Sequence, residues 1–153
     1  MGGMSQLVKD VARLFAGFIL TFGMYVMLHG HTRPGGGFAG GVIVAGGFVL
    51  LILSYGKVEG LFVPEQIAAR WQALAVLGLV LVALLGLANK GSFFRNQPFP
   101  TLPPPFPAEW APGSLLSGGT ALLSDLAIGT AVWMGLIAMF LALATFRRTS
   151  GEE

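Results

Sequence analysis

Two histidines, an arginine and a cluster of glycines crowd into the run His29-Gly30-His31-Thr32-Arg33-Pro34-Gly35-Gly36-Gly37-Phe38-Ala39-Gly40-Gly41. Imidazoles exchange protons near neutral pH and ligate metals, and a guanidinium pairs readily with carboxylates. One acid borders a similar apolar setting far along the chain, Asp125 in Leu122-Leu123-Ser124-Asp125-Leu126-Ala127. His29, His31, Arg33 and Asp125 are therefore the candidates for polar pairing or proton handling. No catalytic constellation accompanies them. The chain has no cysteine, which excludes thiol catalysis and thiolate metal sites. Two histidines without a third ligand nearby make a poor metal centre. The letters Gly35-Gly36-Gly37-Phe38-Ala39-Gly40 match G-x-G-x-x-G, but that fingerprint needs a preceding strand and a βαβ unit. An apolar helix precedes it here, so neither nucleotide, metal nor any other cofactor is expected.

The elements that must carry these residues are hydrophobic. Of 153 residues, 54% are hydrophobic and 10% charged, where a soluble domain carries about 25% charged residues. Mean hydropathy is +0.76, and the apolar residues come in blocks. Four blocks are long enough to span a bilayer: 11–28, with Arg13 near its start, then 38–55, 71–88 and 126–146. About 20 helical residues cross a ~30 Å hydrocarbon core. The expected fold is all-α, an integral membrane four-helix bundle forming a single membrane domain over residues 1–153. The basic start ahead of an apolar run resembles a signal peptide, but the run is long and lacks an Ala-x-Ala pattern.

An even number of spans puts both termini and the 56–70 connection on one side. That side holds Lys9, Arg13, Lys57, Arg70, Arg147 and Arg148, against Arg33, Lys90 and Arg95 on the other. The excess predicts cytoplasmic N- and C-termini. The net charge of +2 then reflects topology and makes no case for nucleic acid. Pro34 biases Arg33 out of helix, so the first helix ends by about Thr32. Pro64 marks a start for the third. Residues 89–120 hold seven of the nine prolines, interleaved with Phe93, Phe94, Phe99, Phe106 and Trp110. They predict a long Pro- and Phe-rich outer loop between helices 3 and 4, packed on a surface or a partner, or else a disordered tether.

Each candidate carries a second, plainer reading. Pro34, Gly35, Gly36, Gly37, Phe38, Gly40 and Gly41 read as a proline stop followed by a close-packing helix start. Gly37, Gly41 and Ala45 share one face at four-residue spacing, and Gly36 and Gly40 another, letting helix backbones approach within the chain or between subunits. His29 and His31 read either as caps on the carbonyls ending helix 1 or as proton-handling groups. Asp125 either pairs with one of the bases, tying helix 4 to the re-entry, or stands alone near a helix N-terminus, favoured by the dipole. The helix centres contain no Lys, Asp, Glu or His and no proline. A self-sufficient ion carrier normally places ionisable or unwound groups there.

The pattern His29-Gly30-His31, Pro34-Gly35-Gly36-Gly37-Phe38 and Gly41, set after a first membrane helix, resembles the B subunit of multisubunit Mrp/Mnh-type Na⁺/H⁺ antiporters. Thr120-Ala121-Leu122-Leu123-Ser124-Asp125-Leu126 is similar to that family's approach to its last helix. The resemblance implies a multi-pass protein of the cell (inner) membrane, a transporter subunit rather than an enzyme. It implies an accessory, assembly-critical role, with translocation carried mainly by large complex-I-related subunits. Its partners would be those large subunits, other small membrane subunits and the lipid bilayer. Related modules in membrane-bound hydrogenases supply the alternative, a membrane module of a redox-driven ion pump. The Pro-rich connection matches no family motif.

Overall fold

The computed structural model describes residues 4–32, 35–55, 64–88, 92–96 and 115–149. It contains four long helices: α1 (Gln6–Leu28), α2 (Gly36–Tyr55), α3 (Glu65–Ala88) and α4 (Thr120–Thr149). One-turn 3-10 helices follow α1 at Gly30–Thr32 and precede α4 at Leu115–Gly118. All four long helices are long and apolar enough to cross a membrane. Each expected span lies inside one of them, but α1 and α4 start earlier than the apolar blocks do. The early start puts Asp125 inside α4, one and a half turns from its beginning. Pro64 precedes α3 and its carbonyl accepts the N–H groups of Ile67 and Ala68 at 2.9 and 3.1 Å.

Among the described residues the helices neighbour one another in the order α1, α2, α4, α3, with α1 also touching α4. The cause is α2, which has a glycine face on each side. Toward α1, Gly40 lies against the backbone of Gly23 and Met27, and Gly47 against Leu20 and Ile19. Toward α4, Gly37 lies against the Asp125 backbone and Gly41 against Gly129. Two helices thus approach α2 from different sides at close range, as small residues permit in lipid. Met27, 2% exposed, fills the space between them and touches Gly129 as well. Farther along, Phe48 stacks on Trp133 with centroids 5.4 Å apart, over a core of Ile52, Ile137 and Leu141. α3 rests on α4, where Gln72 covers Gly135. Only 11% of its apolar window is buried, against 39% for α2. Such a surface suits lipid or other membrane proteins, not water.

The glycine-rich re-entry lies at one end of these helices, called the motif end below. Gly35 and Gly36 turn the chain there with φ of +104° and +43°, a region that a Cβ penalises. Arg33 and Pro34 lie outside the described residues, as do the prolines of the connection expected over 89–120.

Candidate functional site

The two motifs far apart in sequence meet at the motif end. Gly35 stands at the N-cap of α2, its carbonyl accepting the Ala39 N–H at 3.0 Å. An N-cap side chain normally accepts an N–H of the first turn, and glycine has none to offer. Asp125 of α4 supplies it from another helix: the Gly37 N–H donates to Asp125 Oδ1 at 3.3 Å. The same carboxyl group lies against Gly30 and Gly36, each of which has no room for a Cβ beside it. Ionised, it also faces the positive end of the α2 dipole. Asp125 thus acts as a cap in trans, and its backbone carbonyl sits under Gly37.

The histidines are arranged around this contact. His29 is the C-cap residue of α1, its backbone N–H donating to the Tyr25 carbonyl at 3.1 Å. Its Nδ1 lies 3.1 Å from that same carbonyl, a contact that requires the Nδ1–H tautomer, and its ring tilts against Tyr25. Thr32 closes the turn, Oγ1 donating to the His29 carbonyl at 2.8 Å. His31 lies just ahead of the other motif: a Cβ on Gly118 would stand 2.6 Å from its Cγ. His31 therefore lies on the turn that leads into α4. Phe38 is 62% exposed and faces away from the chain, leaving the packing at this end to the glycines.

Several contributors carry no signature that reading along the chain reveals. Asn96 accepts both the Thr120 hydroxyl (3.0 Å) and the Ala121 N–H (3.1 Å), capping α4 from the connection after α3. Gly86 makes room for that connection, since a Cβ there would stand 2.9 Å from the Arg95 nitrogen. Arg95, Asn96, Thr120, Ser124 and Asp125, with Val82 and Phe94, line a cavity of about 200 Å³. Asp125 forms part of its wall while its Oδ1 holds α2. An Asn96→Ala change is expected to cost about 1 kcal/mol, as cap removals do. Thermal unfolding of the detergent-solubilised chain checks this, and Asn96→Asp, which keeps an acceptor, should retain most of the stability.

Comparison with known proteins agrees with this geometry. Residues 7–138 match the domain related to the MnhB subunit of Na⁺/H⁺ antiporters. An uncharacterized protein of Methanocaldococcus jannaschii is 27% identical over 139 residues, 88% of this chain and 50% of the relative. A Staphylococcus aureus protein assigned as antiporter subunit mnhB2 is 32% identical over 92 residues, 60% of this chain and 61% of the relative. Among solved structures, a chain of the membrane-bound sulfane sulfur reductase, an archaeal respiratory membrane complex, superposes with a TM-score of 0.71. It is 32% identical, and the match covers 89% of this chain and 56% of that one. The chain thus spans about half to three-fifths of the length of these relatives. The matched region contains the glycine-rich re-entry and the Asp125 segment, the two halves of the junction described above; this multi-pass membrane protein belongs to the MnhB family.

Proposed function

We propose that this chain is an accessory, assembly-critical subunit of a multisubunit monovalent cation/proton antiporter of the Mrp type, in the cell (inner) membrane. The observation that carries the reading is the family match over residues 7–138, which takes in both motifs. The S. aureus relative adds a second likeness in the same direction. In this reading the chain is a transporter component, with both termini in the cytoplasm as the basic residues favour. Its partners are the other subunits of the complex and the lipid around it. The helix centres lack ionisable residues, which supports a reading in which other subunits carry translocation. In this reading His29, His31 and Asp125 hold the helix junction.

Deletion of the chain from the native complex is the test. A blue-native gel of the purified complex should lose the full assembly, and everted vesicles should lose Na⁺-dependent proton exchange. Ion exchange by this chain reconstituted alone would overturn the accessory role. A second reading, a membrane module of a redox-driven ion pump, is favoured by the 0.71 TM-score to the respiratory complex chain. Co-purification separates the two. Antiporter subunits alone support the first reading, and oxidoreductase subunits in the same band support the second.

A further inference from the structure

At the end opposite the motif, α1 begins beside the last turn of α2. The Met4 N–H donates to the Ser54 carbonyl at 3.2 Å, strapping the start of α1 onto α2. Lys9 and Arg13, one turn apart on α1, both reach over the Tyr55 ring. Lys9 Nζ stands 6.0 Å and Arg13 Cζ 5.8 Å from its centroid. Among the described residues neither cation forms an ion pair. The neighbouring acid, Asp10, is engaged by Gln6 Nε2 at 3.3 Å. Among the described residues of the patch, two positive charges against one leave a net charge of +1. A tyrosine flanked by basic side chains at the end of a span is suited to the headgroup level of a bilayer.

Arg13 is also the mouth of a groove. An open trough of about 680 Å³ runs along α1 past Leu14, Gly17 and Phe18 to Thr21, with Asp10 beside its entrance. Gly17 opens it, because nothing lies within 4 Å of where its Cβ would be. Leu14 and Phe18, 62% and 68% exposed, form its walls. Thr21 Oγ1 donates to the Gly17 carbonyl at 2.9 Å, so the far end is internally satisfied and makes no polar demand. From Arg13 to Thr21 the helix rises roughly 12 Å, well into the hydrocarbon region.

The geometry points to a resident anionic glycerophospholipid, its phosphate on Lys9 and Arg13 and one acyl chain in the trough beyond Arg13. The two features are independent, and they join at one residue in the order of a phospholipid, charged at the boundary and apolar inward. Charge complementarity selects an anionic headgroup over a zwitterionic one. A partner helix, ~10 Å across, approaches closely along a row of small residues; this trough offers the single pair Gly17 and Thr21, with the charged Arg13 one turn before it.

Native mass spectrometry of the purified full chain tests this, with phosphatidylglycerol, phosphatidylcholine or inorganic phosphate added. One phosphatidylglycerol should be retained, and phosphatidylcholine several-fold less. Lys9→Gln and Arg13→Gln should each weaken retention about fivefold, and the double variant about thirtyfold, from the ordinary attraction of one basic residue to an anionic surface. Gly17→Leu leaves both cations and fills the trough, so it should lower phosphatidylglycerol retention without changing phosphate binding. Circular dichroism should give unchanged helicity for all of them, since Arg13 and Gly17 are exposed and Lys9 is half-buried at the start of α1. Equal retention of the two lipids, or full retention by the double variant, overturns the proposal. So does a silent Gly17→Leu with phosphate displacing the lipid, which would mark a phosphate site without an acyl groove. A co-purified subunit whose binding Gly17→Leu abolishes while lipid retention stands would overturn it in favour of helix docking. None of these outcomes depends on whether the complex exchanges cations.

Discussion

Gly37→Ala and Gly41→Ala are each expected to reduce the yield of folded chain and assembled complex sharply, and the leucine variants to abolish it. A Cβ on Gly37 would collide with the Asp125 carbonyl oxygen, and one on Gly41 would stand 2.5 Å from that of Gly129. Both obstacles are backbone atoms of a helix, which cannot rotate aside as a flexible side chain can. Overpacking of this kind costs about 1–3 kcal/mol for small additions, and leucine adds far more bulk. The displacement would push α2 off α4 and break the Gly37–Asp125 hydrogen bond as well. Gly46→Ala is the control, because nothing lies within 4 Å of its Cβ position. Helix propensity alone should leave that variant unchanged or up to ~1 kcal/mol more stable. A native gel of the complex, read beside the thermal stability of the isolated chain, checks the series. His31→Gln should do less harm than Gly41→Leu, and normal complex yield with Gly41→Leu would refute the account.

Asp125→Ala should be the most damaging change of a side chain at the motif end. It leaves the Gly37 N–H without its acceptor and removes the negative charge facing the α2 N-terminus, at a cost of about 1–2 kcal/mol. Asp125→Asn keeps an oxygen acceptor and loses only the charge, worth about 0.3–1 kcal/mol at a helix end. The expected order of thermal stability is therefore Asp, then Asn, then Ala. Added salt should narrow the gap between Asp and Asn, since the charge–dipole part is screened, and leave the gap between Asn and Ala. An alanine variant as stable as the parent would mean that Asp125 does not hold α2 to α4.

Much of this protein is legible residue by residue. Blocks of apolar residues are read through length alone, because a helix must satisfy its own backbone in lipid, and all four expected spans lie within helices. Pro64 marked the start of α3 through its fixed φ. Gly37 and Gly41 meet the same neighbour, since four residues return a helix to the same side, whereas Gly36 and Gly40 meet different ones. Three features did not follow. Helix ends did not, because polar residues such as Gln6, Asp10 and Asp125 carry α1 and α4 past the apolar blocks. Neither did the neighbour order, because only contacts reveal that α2 packs on two helices and α3 chiefly on one. Asn96 and Gly86 looked like ordinary loop and span residues until the connection folded back over α3.

The sequence by itself determined what crosses the membrane and which residues are too small or too polar to be accidental there. Those properties belong to single helices, and hydropathy and spacing carry them without reference to anything distant. The tertiary structure alone decided what the small and polar residues touch. Eighty-eight residues separate Asp125 from Gly37, and no local rule links a carboxylate on α4 to an uncapped helix at Gly35. Nor does a local rule say which side of α2 meets α1 and which meets α4. The glycines permit close approach, and the partner that accepts it is fixed only when the helices pack.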